Sequence, residues 1–333
     1  MKKIVGFFVN QFSERGTEIA AFNYALYNQK ILNNTSIIIC SKNTDTHIEM
    51  VKKKFQNNFT VIEIDDLDEG KYKKSIYDPS RKNTHCNALE NAIIENNIKY
   101  LYHQKAGFED GVLSKNSKNL IHCVFYPSEI NKHGDVYSVI SKSIGNNKYP
   151  VVPLIVEPFP VLKENMRTNL KIPDDAVVFG RHGGFETFNL SYVHNTIKNI
   201  LLNNDNIYFL FLNTKHFYEH KRCIYIDNII TDLNDKVKFL NTCDAMIHAR
   251  SGGETFGLAC AEFSILNKPI ITAMCGETAH IDILDSKGIY YNNEKELYNI
   301  LDNFKIKKNI DYNCYKEFTP EKVMKIFDKV YLQ

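Results

Sequence analysis

Short apolar runs alternate along the chain with stretches in which apolar residues recur every three or four positions. The runs predict buried strands, and the stretches predict amphipathic helices. The predicted strands are Ile4–Val9, Ser36–Cys40, Thr60–Ile64, Lys99–His103, Leu120–Phe125, Ala176–Gly180, Ile207–Leu212, Cys223–Ile226, Ala245–His248, Pro269–Ala273 and Gly288–Tyr291. The predicted helices are Thr17–Leu32, Glu49–Gln56, His85–Asn96, Ser191–Asn203, Leu233–Thr242, Gly257–Asn267, Thr278–Asp285, Glu294–Phe304 and Pro320–Tyr331. This alternation is typical of parallel sheets in the α/β class.

A proline-rich stretch divides the alternation into two halves. Its prolines are Pro150, Pro153, Pro158 and Pro160. An ordinary surface loop would have the same composition, but strands and helices begin to alternate again after it, which favours a connection between domains. We therefore predict one domain over residues 1–155, a second over 156–312 and a C-terminal segment over 313–333. The last helix is expected to begin with Thr319 as N-cap and Pro320 at its first position.

Composition restricts the class of protein. The chain has 333 residues and is 44% hydrophobic, enough for one large or two medium cores. The net charge of +2 is much smaller than the strongly positive charge that is typical of nucleic-acid-binding proteins. Eight cysteines without CxxC pairs or zinc-ligand spacing favour reduced thiols in a cytoplasmic protein. The apolar run Ile4–Val9 is too short for a signal peptide, and no run has transmembrane length.

Lysine-rich runs are the remaining feature of the charge pattern. They fall at 52–54, 71–74 and 305–308. Solvated helix or loop faces are the ordinary interpretation. The more specific alternative interpretation is a weak peripheral contact with an anionic membrane.

Two carboxylates flank a glycine-containing turn that leads into a predicted helix. Glu254 precedes the helix, and Glu262 lies one turn inside it, on an apolar stripe with Leu258 and Leu266. A carboxylate buried on that stripe needs a hydrogen-bonding partner, and a ribose diol would be one. The unpaired N–H groups at the helix start, near Gly257, form a site for an anion such as phosphate. A solvated helical glutamate is the ordinary alternative, but the spacing and the glycines favour a sugar-nucleotide site.

Further candidates fall where strands end, the edge at which open α/β sheets bind ligands. Gly16 opens a helix after the first strand, although a single glycine is not a dinucleotide fingerprint and a plain turn explains it equally. Arg181 ends a strand, where its guanidinium can pair with a diphosphate or form a structural ion pair. Lys215 and Arg250 are weaker candidates for the same phosphate.

Histidines lie in or at the end of two strands of the first half. His103 and His122 can line a cleft between the domains and polarise a hydroxyl group. A hydrogen-bonded structural histidine is an equally good interpretation of each. The turn-like triplet that begins at His133 is ambiguous.

At these residues the chain resembles a glycosyltransferase of the GT-B fold and is similar to the retaining glycosyltransferase family 4. The resemblance covers essentially the whole length, and its most specific part is Glu254-Thr-Phe-Gly-Leu-(x)3-Glu262. It implies that Glu254 holds hydroxyl groups of the donor sugar and that Glu262 holds the nucleotide ribose. Phe256, Gly257 and Leu258 would present backbone groups to sugar and phosphate. The following Lys-Pro-Ile-Ile also matches, although Asn267 stands where the family usually has glycine.

The phosphate end departs from the family pattern. Gly180-Arg181 resembles the family's Gly-Arg, whose arginine meets the diphosphate, but Glu186 replaces the lysine that usually follows. Lys215 or Arg250 would then compensate. The family's Pro-Ser before the glutamate turn is replaced by the segment 248–251, which indicates a divergent branch. Gly16 resembles the glycine near the donor phosphate, and His122 resembles the histidine next to the reacting sugar.

The resemblance implies two Rossmann-like, doubly wound domains facing a cleft, with the last helix crossing back to the first domain. The first domain would bind the acceptor, a glycan or glycolipid precursor, around residues 65–85 and the loop after His103. The second would bind the nucleotide-sugar. Transfer would retain the anomeric configuration without a metal or other cofactor, because Arg181 and helix N-termini neutralise the leaving diphosphate. The leaving group itself can accept the acceptor's proton, and no side chain is an obvious nucleophile.

Two other functions fit the same sequence. One is a sugar-nucleotide epimerase of the GT-B fold, which would isomerise the donor sugar without an acceptor. The other is a non-catalytic binder of nucleotide-sugars that has lost activity with the missing lysine. A nicotinamide-dependent dehydrogenase is disfavoured, because the glycine fingerprint is absent.

Overall fold

The computed structural model describes residues 2–42, 47–64, 87–110, 112–127, 129–228, 230–307 and 309–333. Two compact units divide the chain. The first comprises Met1–Glu157 and Phe318–Gln333, and the second comprises Pro158–Glu317. Among the described residues no helix is long and apolar enough to cross a membrane.

The first unit is built on a six-stranded parallel sheet. Its strands are β1 (Ile4–Val9), β2 (Thr35–Ser41), β3 (Thr60–Ile64), β4 (Tyr100–Lys105), β5 (Lys118–Cys123) and β6 (Val136–Val139). Their order across the sheet is β3-β2-β1-β4-β5-β6. The helices are α1 (Gly16–Lys30), α2 (Glu49–Gln56), α3 (Asn87–Glu95) and α4 (Lys142–Gly145), with α10 (Pro320–Phe327) from the C-terminus. The apolar runs form strands because a parallel sheet is covered on both faces.

The second unit repeats this plan. Its six parallel strands are β7 (Val177–Arg181), β8 (Ile207–Leu212), β9 (Cys223–Ile226), β10 (Ala245–His248), β12 (Ile270–Ala273) and β14 (Ile289–Tyr291). A separate two-stranded sheet pairs β11 (Gly253–Glu254) with β13 (Glu277–Thr278). The helices are α5 (Ser191–Asn203), α6 (Leu233–Thr242), α7 (Leu258–Ile265), α8 (Ala279–Leu284) and α9 (Glu294–Asp302).

Both sheets have the Rossmann strand order. The second sheet runs β14-β12-β10-β7-β8-β9, which in chain order within the unit is the same 3-2-1-4-5-6 arrangement as in the first sheet. The α/β prediction is therefore confirmed, and each sheet has a point between its first and fourth strands where the order reverses. Ligands of such folds bind beyond the carboxyl ends of the strands at this point.

The C-terminal helix packs into the aromatic core of the first unit. The ring of Phe327 lies 5.2 Å from that of Tyr24 and 5.5 Å from that of Tyr102. Tyr331, in the π-helical turn Asp328–Leu332, bonds through its hydroxyl to Ser138. Thr319 occupies the predicted N-cap position, but its side chain makes no capping hydrogen bond. Packing of aromatic rings, rather than capping, therefore fixes this helix.

The short elements α4, β6, β11 and β13 were not predicted, because none of them contains an uninterrupted apolar run. The first part of the proline-rich stretch pairs with β6, since Val152 donates to the carbonyl of Val139 at 2.9 Å. The predicted helix from His85 begins outside the described residues, and its described part is α3.

Candidate active site

The reversal point of the second sheet lies between β7 and β10. The strand β7 ends at Arg181 and β10 ends at His248. Both side chains are buried. The segment that follows His248 therefore runs along the edge where an open α/β sheet binds a ligand.

The two-stranded sheet β11–β13 holds Glu254 in this segment. Gly253 pairs with Glu277, and Glu254 pairs with Thr278. The φ of Gly253 is +60°, and a Cβ atom there would lie 2.2 Å from the carbonyl oxygen of Glu277. Only glycine permits both the left-handed conformation and this backbone approach. Gly253 thus fixes where the backbone of Glu254 lies.

Two basic side chains hold the two carboxylate oxygens of Glu254. His248 Nε2 lies 3.2 Å from Oε1, and Arg250 Nη1 donates to Oε2 at 2.9 Å. The carboxylate side chain is 20% exposed, so it is reachable although mostly enclosed. Arg250, which the sequence offered as a phosphate-binding cation, forms a direct ion pair with Glu254 in this structure.

The surroundings of Glu254 keep it ionised. Burial alone would raise the pKa of this carboxyl, but the hydrogen bond from His248 and the positive charge of Arg250 lower the pKa to about 2. A carboxylate accepts hydrogen bonds only, and its two oxygens together have about four lone-pair positions. Glu254 can therefore accept from hydroxyl groups of a ligand while it keeps both protein partners.

His248 is itself fixed by further contacts. Its Nδ1 atom lies 2.8 Å from Thr272 Oγ1, and its carbonyl accepts a hydrogen bond from the Tyr291 hydroxyl at 2.7 Å. Sequence reasoning treated His248 only as a departure from the family pattern and missed this role. Its place as the last residue of a predicted strand, six positions before Glu254, is the signal that could have revealed the role.

The turn after Glu254 leads directly into α7. Phe256 is buried against Tyr315, whose hydroxyl donates to the Phe256 carbonyl at 2.9 Å. Gly257 is the N-cap residue with φ +84°, and Leu258 is the first residue of the helix. Glycine has no side chain that could cap the helix, so Gly257 leaves the first N–H groups of α7 without a side-chain acceptor. These N–H groups lie at the positive end of the helix dipole.

The C-terminus of α7 explains one departure from the family pattern. Asn267 adopts φ +59°, the left-handed conformation that commonly ends helices. Asparagine is the residue that tolerates this conformation best after glycine. The Asn267 side chain also accepts from the backbone N–H of Tyr312 at 2.6 Å. The replacement of glycine therefore preserves the helix end.

Glu262 lies in α7 and has two basic neighbours. Lys236 Nζ donates to Oε1 at 2.6 Å, and His182 Nε2 lies 2.9 Å from Oε2. Burial would raise the pKa of Glu262, but Lys236 and His182 lower it to about 2. The expectation that a buried carboxylate on this stripe needs a partner is met by protein side chains.

Lys236 is a residue that sequence reasoning missed. It lies in α6, and its side chain is 17% exposed because it is directed toward Glu262. On the sequence it is one of several polar residues of an amphipathic helix, and nothing distinguishes it from a solvated lysine. Only the packing of α6 beside α7 reveals the pair.

The guanidinium group of Arg181 makes its hydrogen bonds within the second unit. Its Nη1 atom donates to the Asn213 carbonyl and to Thr214 Oγ1, and its Nη2 atom donates to the Gly184 carbonyl and to Thr187 Oγ1, at distances from 2.6 to 2.9 Å. Burial lowers the pKa of Arg181 to about 10, so the guanidinium stays charged at neutral pH. The arginine therefore ties two loop segments together, those after β7 and β8, while it contributes positive charge near Glu254 and Arg250.

The other two predicted phosphate-binding cations differ in their surroundings. Arg250 is one-third exposed and paired with Glu254. Lys215 is exposed, and its Nζ atom lies 3.6 Å from Glu186 Oε1. The residue that replaces the family's lysine is thus the partner of Lys215. Of the two, only Arg250 lies beside Glu254.

Gly16 and the candidate histidines His103 and His122 belong to the first unit. Gly16 is exposed and is the first residue of α1. His122 is fully buried in β5, with Nδ1 2.7 Å from the Tyr102 hydroxyl and its ring packed on Tyr24 and Tyr331. Burial lowers its pKa to about 3. For His122 these contacts favour the structural alternative over a catalytic one.

His103 is also buried, two residues before the end of β4. Its ring lies 4.7 Å from that of Phe8, and burial, with the charge of Lys105, lowers its pKa to about 3. It is therefore a neutral core side chain rather than a strand-end residue. The predicted acceptor segment 65–85 lies outside the described residues.

Comparison with known proteins relates the fold of the whole chain to solved structures. No protein-family model and no curated protein sequence matches the chain. The solved structure of Anabaena HepE in complex with UDP-glucose superposes with a TM-score of 0.67 at 11% identity, covering 98% of each chain. The lipopolysaccharide outer core galactosyltransferase WaaB superposes with a TM-score of 0.63 at 13% identity, also covering 98% of each. A putative UDP-N-acetylglucosamine 2-epimerase from Listeria monocytogenes has a TM-score of 0.61 at 13% identity, covering 98% of this chain and 94% of the other.

The chain has the GT-B fold. The two Rossmann-ordered sheets and the nearly complete coverage of both chains agree on this point. Identities of this size relate folds, and they transfer no residue roles. The chemistry must therefore be argued from the site of this chain.

Proposed function

We propose that this GT-B protein is a glycosyltransferase that moves a sugar from a nucleotide-sugar donor to a glycan or glycolipid precursor. The observation that carries the proposal is the ionised Glu254 carboxylate, held by His248 and Arg250 at the reversal point of the second sheet. A fixed carboxylate at this edge suits the hydroxyl groups of a donor sugar.

The phosphate end of the donor is proposed to lie at the start of α7. The N–H groups that follow Gly257 and the partly exposed Arg250 supply positive charge within one turn of Glu254. Arg181 adds positive charge without a direct hydrogen bond to the diphosphate, because its own hydrogen bonds are made within the protein. Charge that develops on the leaving diphosphate would be stabilised by these preoriented groups, without a metal or other cofactor.

Glu262 is proposed to face the ribose of the nucleotide. Its carboxylate is ionised and mostly enclosed, and Lys236 and His182 orient it. Both oxygens retain lone pairs for a ribose diol. In this arrangement Glu254 binds the donor sugar and Glu262 binds the nucleoside.

We propose that transfer retains the anomeric configuration. Both oxygens of Glu254 are engaged by basic partners, which makes this carboxylate a poor covalent nucleophile and a good acceptor from sugar hydroxyls. The leaving phosphate can itself take the acceptor's proton. Proton NMR of the first product formed would decide the matter, because an inverted anomeric coupling would contradict retention.

A panel of nucleotide-sugars, with UDP-glucose first, tests the proposal. A donor at about 100 times its Kd should stabilise the protein by roughly 2.7 kcal/mol in thermal unfolding. The same donor should then release nucleoside diphosphate when acceptor glycans are added, and EDTA should leave the rate unchanged. Binding without release under any acceptor condition would favour the non-catalytic alternative.

An epimerase is the second candidate, favoured by the structural likeness to the putative 2-epimerase from Listeria. It predicts isomerisation of the donor sugar when no acceptor is present. Incubation with UDP-N-acetylglucosamine in deuterated water separates the two functions. Deuterium at C2 of the recovered nucleotide-sugar would support the epimerase and contradict transfer.

A further inference from the structure

A chain of three buried polar side chains leads to Glu254 from beneath the active-site turn. His280 Nε2 lies 3.0 Å from Thr272 Oγ1, and Thr272 Oγ1 lies 2.8 Å from His248 Nδ1. His248 Nε2 then reaches Glu254 at 3.2 Å. His280 and Thr272 are fully buried, and His248 is 6% exposed. None of the three can be explained as a solvated surface residue.

The direction of these hydrogen bonds follows from Glu254. An ionised carboxylate only accepts, so the proton must be on His248 Nε2. When His248 carries a single ring proton, its Nδ1 atom accepts from the Thr272 hydroxyl. The Thr272 oxygen then accepts from His280 Nε2–H. Every contact thus pairs one donor with one acceptor, and the Thr272 hydroxyl selects the His248 tautomer.

His280 is suited to the end of such a chain. Burial lowers its pKa to about 3, so it is neutral and carries one ring proton. It lies under the turn, because a Cβ atom on Gly257 would meet the Cβ of His280 at 3.1 Å. Its remaining Nδ1 atom is near the Glu254 backbone but makes no hydrogen bond of good geometry with a described residue. The ionisable groups that act on it are His248, Glu254 and Arg250.

We infer that Thr272 and His280 are positioning residues for the proposed transfer, because they hold His248 in the tautomer that orients the Glu254 carboxylate toward the donor sugar. This inference rests on the proposed function for its catalytic consequence. The arrangement of protons, in contrast, can be measured without any substrate. Buried threonine and histidine side chains in a sheet commonly serve stability alone, so the test must separate the two roles.

Thr272→Val removes the hydroxyl and retains the branched shape, whereas Thr272→Ser retains the hydroxyl. Thr196→Val is the matched control, since Thr196 is equally buried in α5 but bonds only to the Tyr192 carbonyl. Long-range proton–nitrogen NMR of the full chain labelled in histidine should show His248 as the Nε2–H tautomer in the wild type. Thr272→Val should raise the Nδ1–H fraction, and both other variants should leave it unchanged.

The Glu254 carboxyl gives a second readout that needs no substrate. Its carbon resonance should titrate at a higher pH in Thr272→Val than in the wild type or Thr272→Ser. With the donor found in the panel, kcat of Thr272→Val should fall tenfold or more while KM changes little. Thr272→Ser should recover most of that loss.

Three results would overturn the inference. One is an unchanged His248 tautomer in Thr272→Val, and another is an unchanged titration of the Glu254 carboxyl. The third is a fall in kcat no larger than that of Thr196→Val. If Thr272→Val does not fold, His280→Leu replaces it, with His280→Gln as the variant that retains a donor. If the wild type turns over no nucleotide-sugar, the proposed function fails, and the two NMR readouts alone decide whether the chain positions Glu254.

Discussion

His248, the last residue of a buried strand, contacts Glu254, the mostly enclosed carboxylate of the active-site turn, with 3.2 Å between Nε2 and Oε1. Arg250 takes the opposite oxygen at 2.9 Å. The three side chains come from a segment of seven residues, yet they meet only because Gly253 turns the backbone between them. The carboxylate is therefore oriented before any ligand arrives.

Glu254→Gln should reduce turnover by about a hundredfold or more, the scale of losing one group that stabilises the transition state. The amide keeps the shape but loses the charge that pairs with Arg250. Rates measured with the donor identified by thermal shift check this expectation. Glu186→Gln is the control, because Glu186 is exposed and paired only with Lys215 at 3.6 Å. Similar rates for both variants would remove Glu254 from the site.

The two adjacent glycines before Glu254 should respond very differently to alanine. A Cβ atom on Gly253 would lie 2.2 Å from backbone, whereas on Gly252 its nearest neighbour is a side-chain nitrogen of Arg250 at 3.9 Å. We expect Gly253→Ala to lower the free energy of unfolding by roughly 2 kcal/mol or more, and Gly252→Ala to change it by less than about 0.5 kcal/mol. Denaturant unfolding of both variants measures the difference. Equal stability would mean that the β11–β13 pairing does not require glycine.

The central strands of the two sheets could be predicted from the sequence because they are buried on both faces. Ile207–Leu212 and Ala245–His248 are continuous apolar runs, and the structure has strands with those same ends. The strand Gly253–Glu254 could not be predicted, because two residues define no period. It exists because glycine lets two loop backbones approach, which is a tertiary effect.

The candidate site was predictable in its position but not in its pairings. Glu254 and Arg250 are close in sequence, so their ion pair follows from the turn. The Lys236–Glu262 pair joins two residues that are 26 positions apart and lie in different helices, and no local pattern marks it. For Arg181, the sequence allowed either a phosphate contact or a structural role. Its four hydrogen bonds within the second unit support the latter in this structure.

Arg181→Ala should therefore cost stability as well as activity. The substitution takes the buried guanidinium away from four acceptors, which are the carbonyl oxygens of Asn213 and Gly184 and the hydroxyl oxygens of Thr214 and Thr187. Breaking such a buried charged network costs on the order of 3 kcal/mol in free energy of unfolding. Arg181→Lys keeps the charge but cannot make the same fork of bonds, so it should be intermediate.

Arg250→Lys is the comparison variant for Arg181, because Arg250 is one-third exposed and bonds only at the site. It should leave stability almost unchanged and weaken binding of the donor. Thermal unfolding and calorimetric titration of the two variants separate the roles. Unchanged stability in Arg181→Ala, with lost donor binding, would favour direct contact between Arg181 and phosphate.

Acid should destabilise the second unit through its two site carboxylates. The pKa values of Glu254 and Glu262 are lowered to about 2 from an ordinary value of 4.5. A carboxyl whose folded pKa is depressed stabilises the protein above its unfolded pKa, and the contribution is lost as pH falls through the folded value. The stabilisation is therefore lost between about pH 4.5 and about pH 2. Over this range each carboxyl group accounts for a loss on the order of 3 kcal/mol in the free energy of unfolding.

Glu254→Gln and Glu262→Gln should each flatten the decline in unfolding free energy across that pH range. The flattening arises because the variant has no carboxyl to protonate, and it should be accompanied by lower stability at neutral pH, where His248 or Lys236 has lost its anionic partner. Glu296→Gln is the control, since Glu296 is exposed and its pKa is lowered mainly by backbone and side-chain hydrogen bonds of Asn292 and Asn293. Denaturant unfolding at several pH values compares the slopes. If the slopes of both site variants equal that of Glu296→Gln, the two carboxylates are not held ionised by their basic neighbours, and the electrostatic basis of the proposed site is wrong.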